Sequence, residues 1–260
     1  IFECLKKGAD YIRWDEKRKE YAGQSGSIRR GVGMALFSYK TGVWPISLEI
    51  SGARLSLNQD GSVQVILGAT EIGQGADTVF SQMVAETLQT DMEHIHIMST
   101  QDTDISPFDT GAYASRQSFV TGTAVRHCAE ILRDKILAYA KTLLPEIDTT
   151  ELELRDNWIW AGKEQAISLA ALAEESYYSL TNSSVLTAEV SEQVKKNTIA
   201  TGCCFAEVEV DMKLGKIKVL HIINVHDSGK LINPQLAEMQ VQGGMFMGMG
   251  YGISEQLILD

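Results

Sequence analysis

The segment VQVILGATEIGQGADTVFSQMVAETL, residues 63–88, changes its hydrophobic pattern halfway along its length. Residues 63–67 are mostly apolar and favour a strand. From residue 77 to residue 88, apolar side chains such as Phe80 and Val84 recur four residues apart, as they do on one face of a helix. The glycine-rich turn GATEIGQG lies between the two. The segment therefore predicts a strand, a glycine loop and a helix in succession.

Strand pairs are predicted on both sides of this segment. Leu48–Leu57 is followed by the turn NQDG and then by residues 63–67, a pattern that is typical of a hairpin. A second hairpin is predicted in ELELRDNWIWA with its turn at residues 155–157, and a third in FAEVEVD and KIKVLHIINVH around MKLG. Hairpins combined with helices predict an α+β fold with hairpin-built sheets and packed helices.

Helical spacing and capping residues predict four further helices and three connecting loops. The helices are expected near Phe2–Ile12, over Val125–Leu143 ahead of Pro145, after the N-cap Ser168, and over Pro234–Leu259. The last of these helices is rich in Met and Gly, and we expect it to be buried on most sides. Loops are expected at residues 22–33, 106–122 and 181–202.

The composition indicates a globular protein with enough apolar material for one large domain or two subdomains. The chain is 44% hydrophobic and carries a net charge of -11, which disfavours binding to nucleic acids and to anionic membranes. No apolar run is long enough to span a bilayer and the first residues do not resemble a signal peptide, so a cytoplasmic location is expected. Four cysteines without CxxC spacing argue against a zinc site, an iron–sulfur cluster or a disulfide framework in this chain. The first residue is Ile and an apolar stretch precedes Asp260, so we expect the chain to be a piece of a longer protein.

Three glycine-rich stretches could bind a ligand, and each also has a purely structural interpretation. GATEIGQG can hold an anion on its backbone N–H groups or a polar heterocycle on Gln74, but it can also be only a tight turn. In GAYASRQS, residues 111–118, small residues, a hydroxyl, a guanidinium and an amide could bind phosphate oxygens, or form an exposed loop. In EMQVQGGMFMGMGYG, residues 238–252, the density of glycines is also typical of close helix packing.

All three stretches occur in the order found in the molybdopterin domain of the xanthine dehydrogenase and aldehyde oxidase family, which this sequence resembles. The matching segments are GATEIGQGADTVFSQMVAETL, DTDISPFDTGAYASRQSFVTGTAV, and FAEVEVD through VHDSGKLINPQLAEMQVQGGMFMGMGYGISE. The resemblance implies an incomplete molybdopterin-binding domain with its first part at residues 1–145 and its second at 146–260, the two parts forming one interlocked unit. It also implies a set of cofactor contacts: Gln74 and the adjacent Gly75, Ala114 with its backbone near molybdenum, Ser115, Arg116 and Gln117 on the pterin and its phosphate, and Gln240.

The same resemblance implies a chemistry that this chain only partly supports. It implies molybdopterin, or its cytosine dinucleotide form, with molybdenum, and iron–sulfur clusters and FAD on other domains or subunits. The family's catalytic glutamate is expected beyond Asp260, so the chain alone is expected to be inactive and to need the remaining segments or subunits. A purine-like heterocycle is the expected substrate. The alternatives are a small molybdopterin subunit of a split nicotinate- or aldehyde-type hydroxylase and a noncatalytic relic of the fold.

Overall fold

The structure is a computed structural model that describes residues 1–98 and 102–260. Its helices are α1 (Phe2–Ile12), α2 (Trp14–Tyr21), α3 (Ala76–Leu88), α4 (Gln117–Leu143), α5 (Leu169–Tyr178) and α6 (Pro234–Ile253). Its strands are β1 (Ile28–Thr41), β2 (Ile50–Leu57), β3 (Val63–Leu67), β4 (Ile95–Met98), β5 (Leu152–Arg155), β6 (Trp158–Ala161), β7 (Glu164–Ser168), β8 (Thr187–Gln193), β9 (Thr198–Asp211) and β10 (Lys216–Asp227).

The chain divides into two compact units. Unit 1 combines Ile1–Lys40 with Thr198–Asp260, and unit 2 is the continuous segment Thr41–Asn197. The predicted parts, residues 1–145 and 146–260, follow the order of the loops along the chain and stay a prediction, whereas the units group residues by their contacts.

Unit 2 is built on a four-stranded sheet in the order β4-β3-β2-β8. Strands β2 and β3 form the predicted antiparallel hairpin, while β3 and β4 are parallel and α3 connects them. This parallel pair is a feature that the hairpin pattern did not predict. The inward residues of β3 alternate with less buried ones, as expected for a strand with one face on the core. The core joins this sheet to α3 and α4 through the fully buried residues Leu55, Leu57, Val65, Phe80, Val84, Leu132 and Ile136.

A second sheet of unit 2, in the order β5-β6-β7, is antiparallel and contains the predicted turn at residues 155–157. The Ser168 side chain accepts a hydrogen bond from the backbone N–H of Ala171, so the predicted N-cap of α5 is confirmed. Helix α4 ends at Leu143, two residues before Pro145, as expected.

Unit 1 contains the sheet β1-β9-β10, with α1 packed against β9 and β10, together with α2 and α6. Strands β9 and β10 form the predicted third hairpin. The core of this unit contains Cys4 and Ile12 of α1 and Cys203 and Phe205 of β9.

Several predicted loops and one predicted burial are wrong. Strand β1 occupies the end of the predicted loop 22–33, and β8 and the start of β9 occupy much of the predicted loop 181–202. Strand β8 pairs with all but the last residue of β2, a long-range contact that its short alternating pattern did not reveal. Helix α4 begins at Gln117, inside the predicted loop 106–122, because its first turn follows directly on a tight turn.

Helix α6 differs most from its prediction. It ends at Ile253, and it contains no buried residue. Met239, Phe246, Met247 and Tyr251 are exposed, so the expected burial on most sides is wrong for this structure. The reason is that a Met- and Gly-rich composition shows that a helix can be packed closely, but it does not show what packs against it. No helix within residues 1–98 and 102–260 has the length and apolar character that crossing a membrane requires.

Candidate functional site

The glycine loop between β3 and α3 is organised around the carboxylate of Glu71. Its Oε1 accepts hydrogen bonds from the backbone N–H groups of Gly73 at 2.7 Å and Gly75 at 3.2 Å, and its Oε2 accepts one from Asp77 at 3.0 Å. Burial raises the pKa of Glu71, but the bonds from these N–H groups outweigh it and lower the pKa overall. The protein therefore supplies its own anion to the N-terminus of α3, where the sequence allowed a bound anion.

Gln74 and Gln117 lie side by side, although 43 residues separate them in the sequence. Gln74 Nε2 donates to Gln117 Oε1 at 2.5 Å and to the Thr70 carbonyl at 2.9 Å. Gln117 Nε2 donates to the same Thr70 carbonyl at 3.1 Å. Two of the loops predicted from the sequence are thus joined through a pair of amides and one carbonyl oxygen.

Backbone partners fix which way each amide points. Gln74 Oε1 accepts from the Ile72 N–H at 2.7 Å, and Gln117 Nε2 faces the Thr70 carbonyl, so neither amide can be reversed without placing like groups together. Within the described part of the chain, these bonds occupy both N–H groups of Gln74 and leave it an acceptor lone pair. Gln117 keeps one N–H and one lone pair. The pair can therefore offer both a donor and an acceptor to a polar ligand.

The turn before α4 has an unusual backbone conformation. Ala114 and Ser115 have φ angles of 48° and 53°, in the left-handed region that side chains other than glycine rarely adopt. Each such residue costs about 1–3 kcal/mol unless its surroundings enforce the conformation. The Ala114 carbonyl accepts from the Gly42 N–H at 2.9 Å, and Ser115 is exposed. Consecutive strained residues beside a helix N-terminus are typical of a functional site.

Arg116 is placed differently from the residues on either side. Its side chain is fully buried, with Nε donating to Glu49 at 2.5 Å and Nη1 donating to Asp109 at 2.7 Å. Nη1 also donates to the Gly111 carbonyl and Nη2 to the Ile50 carbonyl. Burial by itself lowers the pKa of Arg116, but the two carboxylates raise it by more than burial lowers it. The guanidinium therefore remains charged. We call Glu49, Arg116 and Asp109 the ion triad.

Six of the seven predicted contact residues belong to unit 2, and Gln240 belongs to unit 1. Gln240 is an exposed residue of α6. This helix starts after the N-cap Asn233, whose Oδ1 accepts from the Leu236 N–H at 3.0 Å, with Pro234 in its first turn.

Sequence reasoning missed four residues that organise the site, namely Thr70, Glu71, Glu49 and Asp109. A signal for Glu71 is its position just ahead of two glycines and a helix start, where a carboxylate can accept from N–H groups. The Thr70 carbonyl has no sequence signal because any residue could supply it. Glu49 is far from Arg116 in the sequence, and Asp109 lies in a loop. Their pairing with Arg116 therefore depends on the folded structure.

A family model described as "Molybdopterin cofactor-binding domain" matches residues 7–260. The xanthine dehydrogenase molybdenum-binding subunit of Escherichia coli O157:H7 is 46% identical over 260 residues, covering 99% of this chain and 35% of that protein. The aldehyde oxidoreductase molybdenum-binding subunit PaoC of the same organism is 28% identical over 261 residues, covering 100% of this chain and 34% of that protein.

Among solved structures, quinoline 2-oxidoreductase from Pseudomonas putida 86 superimposes with a TM-score of 0.86 at 22% identity. The match covers 99% of this chain and 34% of that one. At this identity the comparison supports the fold alone.

The match over residues 7–260 defines the class of this chain as a cofactor-binding domain. The chain belongs to the molybdopterin cofactor-binding domain family. The family and the α+β fold expected from the sequence are therefore confirmed, and the family is named for the cofactor that the resemblance implied. The chain spans about a third of the length of the relatives it matches.

Proposed function

We propose that this chain forms the pterin-binding part of a molybdenum hydroxylase of the xanthine dehydrogenase type. The observation that carries the proposal is the contact between Gln74 and Gln117 at the Thr70 carbonyl, which unites two loops that the sequence resemblance assigns to the cofactor. These two amides are the residues we assign as direct contacts to the pterin.

The donor set of this site fits a pterin. A pterin is a flat heterocycle whose edges alternate hydrogen-bond donors and acceptors, and paired amides can match such an edge because each carries both functions. In the loop that leads to α4, the buried hydroxyls of Ser106 and Thr110 lack a hydrogen-bond partner within residues 1–98 and 102–260. Buried polar groups without a hydrogen-bond partner in the protein are expected where a polar ligand binds.

The other assigned residues have separate roles, two of them through the backbone. Ser115 offers an exposed hydroxyl at the N-terminus of α4, where a phosphate oxygen is favoured. Ala114 would bring its backbone close to molybdenum, and Gly75 would let the ligand approach the loop. Gln240 is proposed as a further pterin contact from unit 1.

Molybdopterin with molybdenum, when bound, supplies the oxygen-transfer and redox chemistry. The residues of this chain hold and orient it, and we assign no catalytic base among them. For the whole protein we propose hydroxylation of a purine-like heterocycle with water, together with the remaining segments or subunits that carry iron–sulfur clusters and FAD. The 46% identity to a xanthine dehydrogenase subunit, against 28% to an aldehyde oxidoreductase subunit, favours this class of substrate.

Substituting the paired glutamines tests the cofactor site. In Gln74→Ala or Gln117→Ala we expect molybdenum and pterin per protein to fall about tenfold or more, because each variant loses a polar contact to a buried ligand worth about 1.4 kcal/mol or more. The metal is measured by mass spectrometry and the pterin by fluorescence after oxidation.

The matched control is Gln165→Ala, which removes an exposed amide from β7. It should retain the molybdenum content of the unmodified protein. Wild-type molybdenum content in both Gln74→Ala and Gln117→Ala would contradict the proposed contacts.

A further inference from the structure

The carboxylates of the ion triad also accept hydrogen bonds from groups other than the guanidinium. Glu49 Oε1 accepts from the Val43 N–H at 2.5 Å, and Asp109 Oδ1 accepts from the Gly111 N–H at 2.7 Å. Asp109 Oδ2 accepts from the Thr121 hydroxyl at 3.1 Å. The ion triad therefore connects the segment before β2, the loop that leads to α4, and α4 itself.

The guanidinium has little capacity left for a ligand. Its bonds to Glu49, Asp109 and two carbonyl groups use four of the five N–H donors of an arginine. The side chains of Arg116 and Glu49 are 0% exposed and that of Asp109 is 1% exposed. A cofactor phosphate could recruit this guanidinium only by leaving two buried carboxylates without their cation, which is strongly unfavourable.

Arg116 directly follows the left-handed residues Ala114 and Ser115. Its backbone N–H donates to the Tyr113 carbonyl at 3.1 Å, so the turn closes on the residue whose side chain is anchored. Strained backbone persists only where its surroundings enforce it. The ion triad anchors this turn through three side chains that are shielded from solvent.

We propose that the ion triad holds Ala114 and Ser115 in the left-handed turn, and that Glu49, Arg116 and Asp109 are positioning residues for the cofactor loop. Arg116 then acts on the cofactor through the turn, in place of the direct grip on pterin and phosphate that the resemblance implied. This inference rests on the proposed function, because the turn matters for binding only if the loop holds the pterin.

The test uses Glu49→Gln and Arg116→Lys, with Glu189→Gln as the control. Glu189 pairs with Arg54 at 2.9 Å on the exposed face of the same unit, so the control also breaks an Arg–Glu pair. Hydrogen–deuterium exchange is measured for the peptide covering residues 110–118 in cofactor-free protein, and molybdenum and pterin are measured in purified protein. In the triad variants we expect exchange about tenfold faster in this peptide and a parallel loss of cofactor, with neither change in the control.

Unchanged exchange at residues 110–118 would overturn the proposal, whether cofactor is retained or lost. If circular dichroism shows that a triad variant does not fold, Thr121→Val is used instead; it keeps the ion triad and removes the hydroxyl that donates to Asp109 and accepts from Ser51. It should accelerate exchange in the same peptide by a smaller factor. Faster exchange in the triad variants, combined with unaltered cofactor in Gln74→Ala and Gln117→Ala, would mean that the triad orders the turn but that the proposed function is wrong.

Discussion

Glu207 is a buried carboxylate of β9 that binds three side chains. Lys17 Nζ and Tyr21 Oη each donate to it at 2.6 Å, and His221 Nδ1 lies 2.7 Å from its Oε2. Burial by itself raises the pKa of Glu207, but the hydrogen bonds and the Lys17 charge lower it more, from an ordinary 4.5 to about 2. The ionised carboxylate therefore stabilises unit 1.

The low pKa of Glu207 predicts acid sensitivity. Because the pKa in the folded state lies below the unfolded value, the stabilisation is complete above pH 4.5 and is lost as the pH falls toward about 2. Glu207→Gln should lower the free energy of unfolding at pH 7 by roughly 3 kcal/mol, and its difference from the unmodified protein should shrink below pH 4.5. Urea denaturation at a series of pH values measures both quantities.

The control is Glu209→Gln on the same strand, which breaks a more exposed ion pair with Arg30 and should cost less than about 1 kcal/mol. A difference between Glu207→Gln and the unmodified protein that stays constant from pH 7 to pH 3 would contradict the role of the ionised carboxylate.

Single residues could be predicted where chemistry or resemblance identified them. Gln74 and Gln117 were predicted as site residues, but their mutual hydrogen bond was not, because it depends on a contact across 43 residues. The side chain of Arg116 was predicted to face the cofactor. Its burial with Glu49 and Asp109 is invisible in a local sequence pattern, since all three residues are charged and most charged residues are exposed.

Helix α1 meets β9 at a point where only glycine fits. A Cβ atom added to Gly8 would collide with the ring of Phe205, whose Cδ2 would lie only 2.7 Å away. Phe205 is 1% exposed and packs edge-on against Trp14, with ring centroids 5.6 Å apart, so the ring has no space to move into. The close approach of helix and strand depends on this glycine.

Gly8→Ala should therefore destabilise the protein although alanine is the better helix former. Overpacking costs about 1–3 kcal/mol, and the gain in helix propensity of about 1 kcal/mol offsets only part of it. Because the collision with Phe205 is close, we expect a cost at the upper end of this range and a net loss of up to about 2 kcal/mol in the free energy of unfolding, measured by urea denaturation. Gly23→Ala is the control, because no atom lies within 4 Å of an added Cβ at that position. Equal stability of the two variants would show that the α1–β9 contact can adapt.

Elements with strong local signals were predicted well. The three hairpins, α3 and most of α4 follow from alternation, turn residues and helical spacing. Strand β8 was missed because residues 187–193 mix apolar and charged side chains, and only its pairing with β2 makes it a strand. The burial of α6 was mispredicted since composition alone does not identify a packing partner.

Only one of the two compact units is formed by a continuous stretch of sequence. Unit 2 is one uninterrupted segment that contains the larger hydrophobic core together with Gln74 and Gln117, while unit 1 requires residues from both ends of the chain. The predicted parts follow the order of the loops along the chain. The units depend on long-range strand pairing, which has no local sequence signal.

The continuity of unit 2 predicts that residues 41–197 fold by themselves. The fragment retains all four strands of the main sheet with α3 and α4, so it should unfold in urea in one cooperative transition followed by circular dichroism. A fragment of residues 1–145 is the comparison, because it lacks β8 and should show no cooperative transition. A cooperative transition in residues 1–145 but not in 41–197 would refute this division.

The interrupted course of unit 1 has a consequence during synthesis on the ribosome. Strand β1 leaves the exit tunnel long before its sheet neighbour β9, and the whole of Thr41–Asn197 is translated in between. Since contiguous domains fold as units while translation continues, the segment bearing Gln74 and Gln117 can take shape first. Strand β1, with exposed residues such as Ile28, Met34 and Leu36, remains unpaired until β9 has been synthesised. An unpaired apolar strand of this kind is where chaperone capture is most useful to the nascent chain.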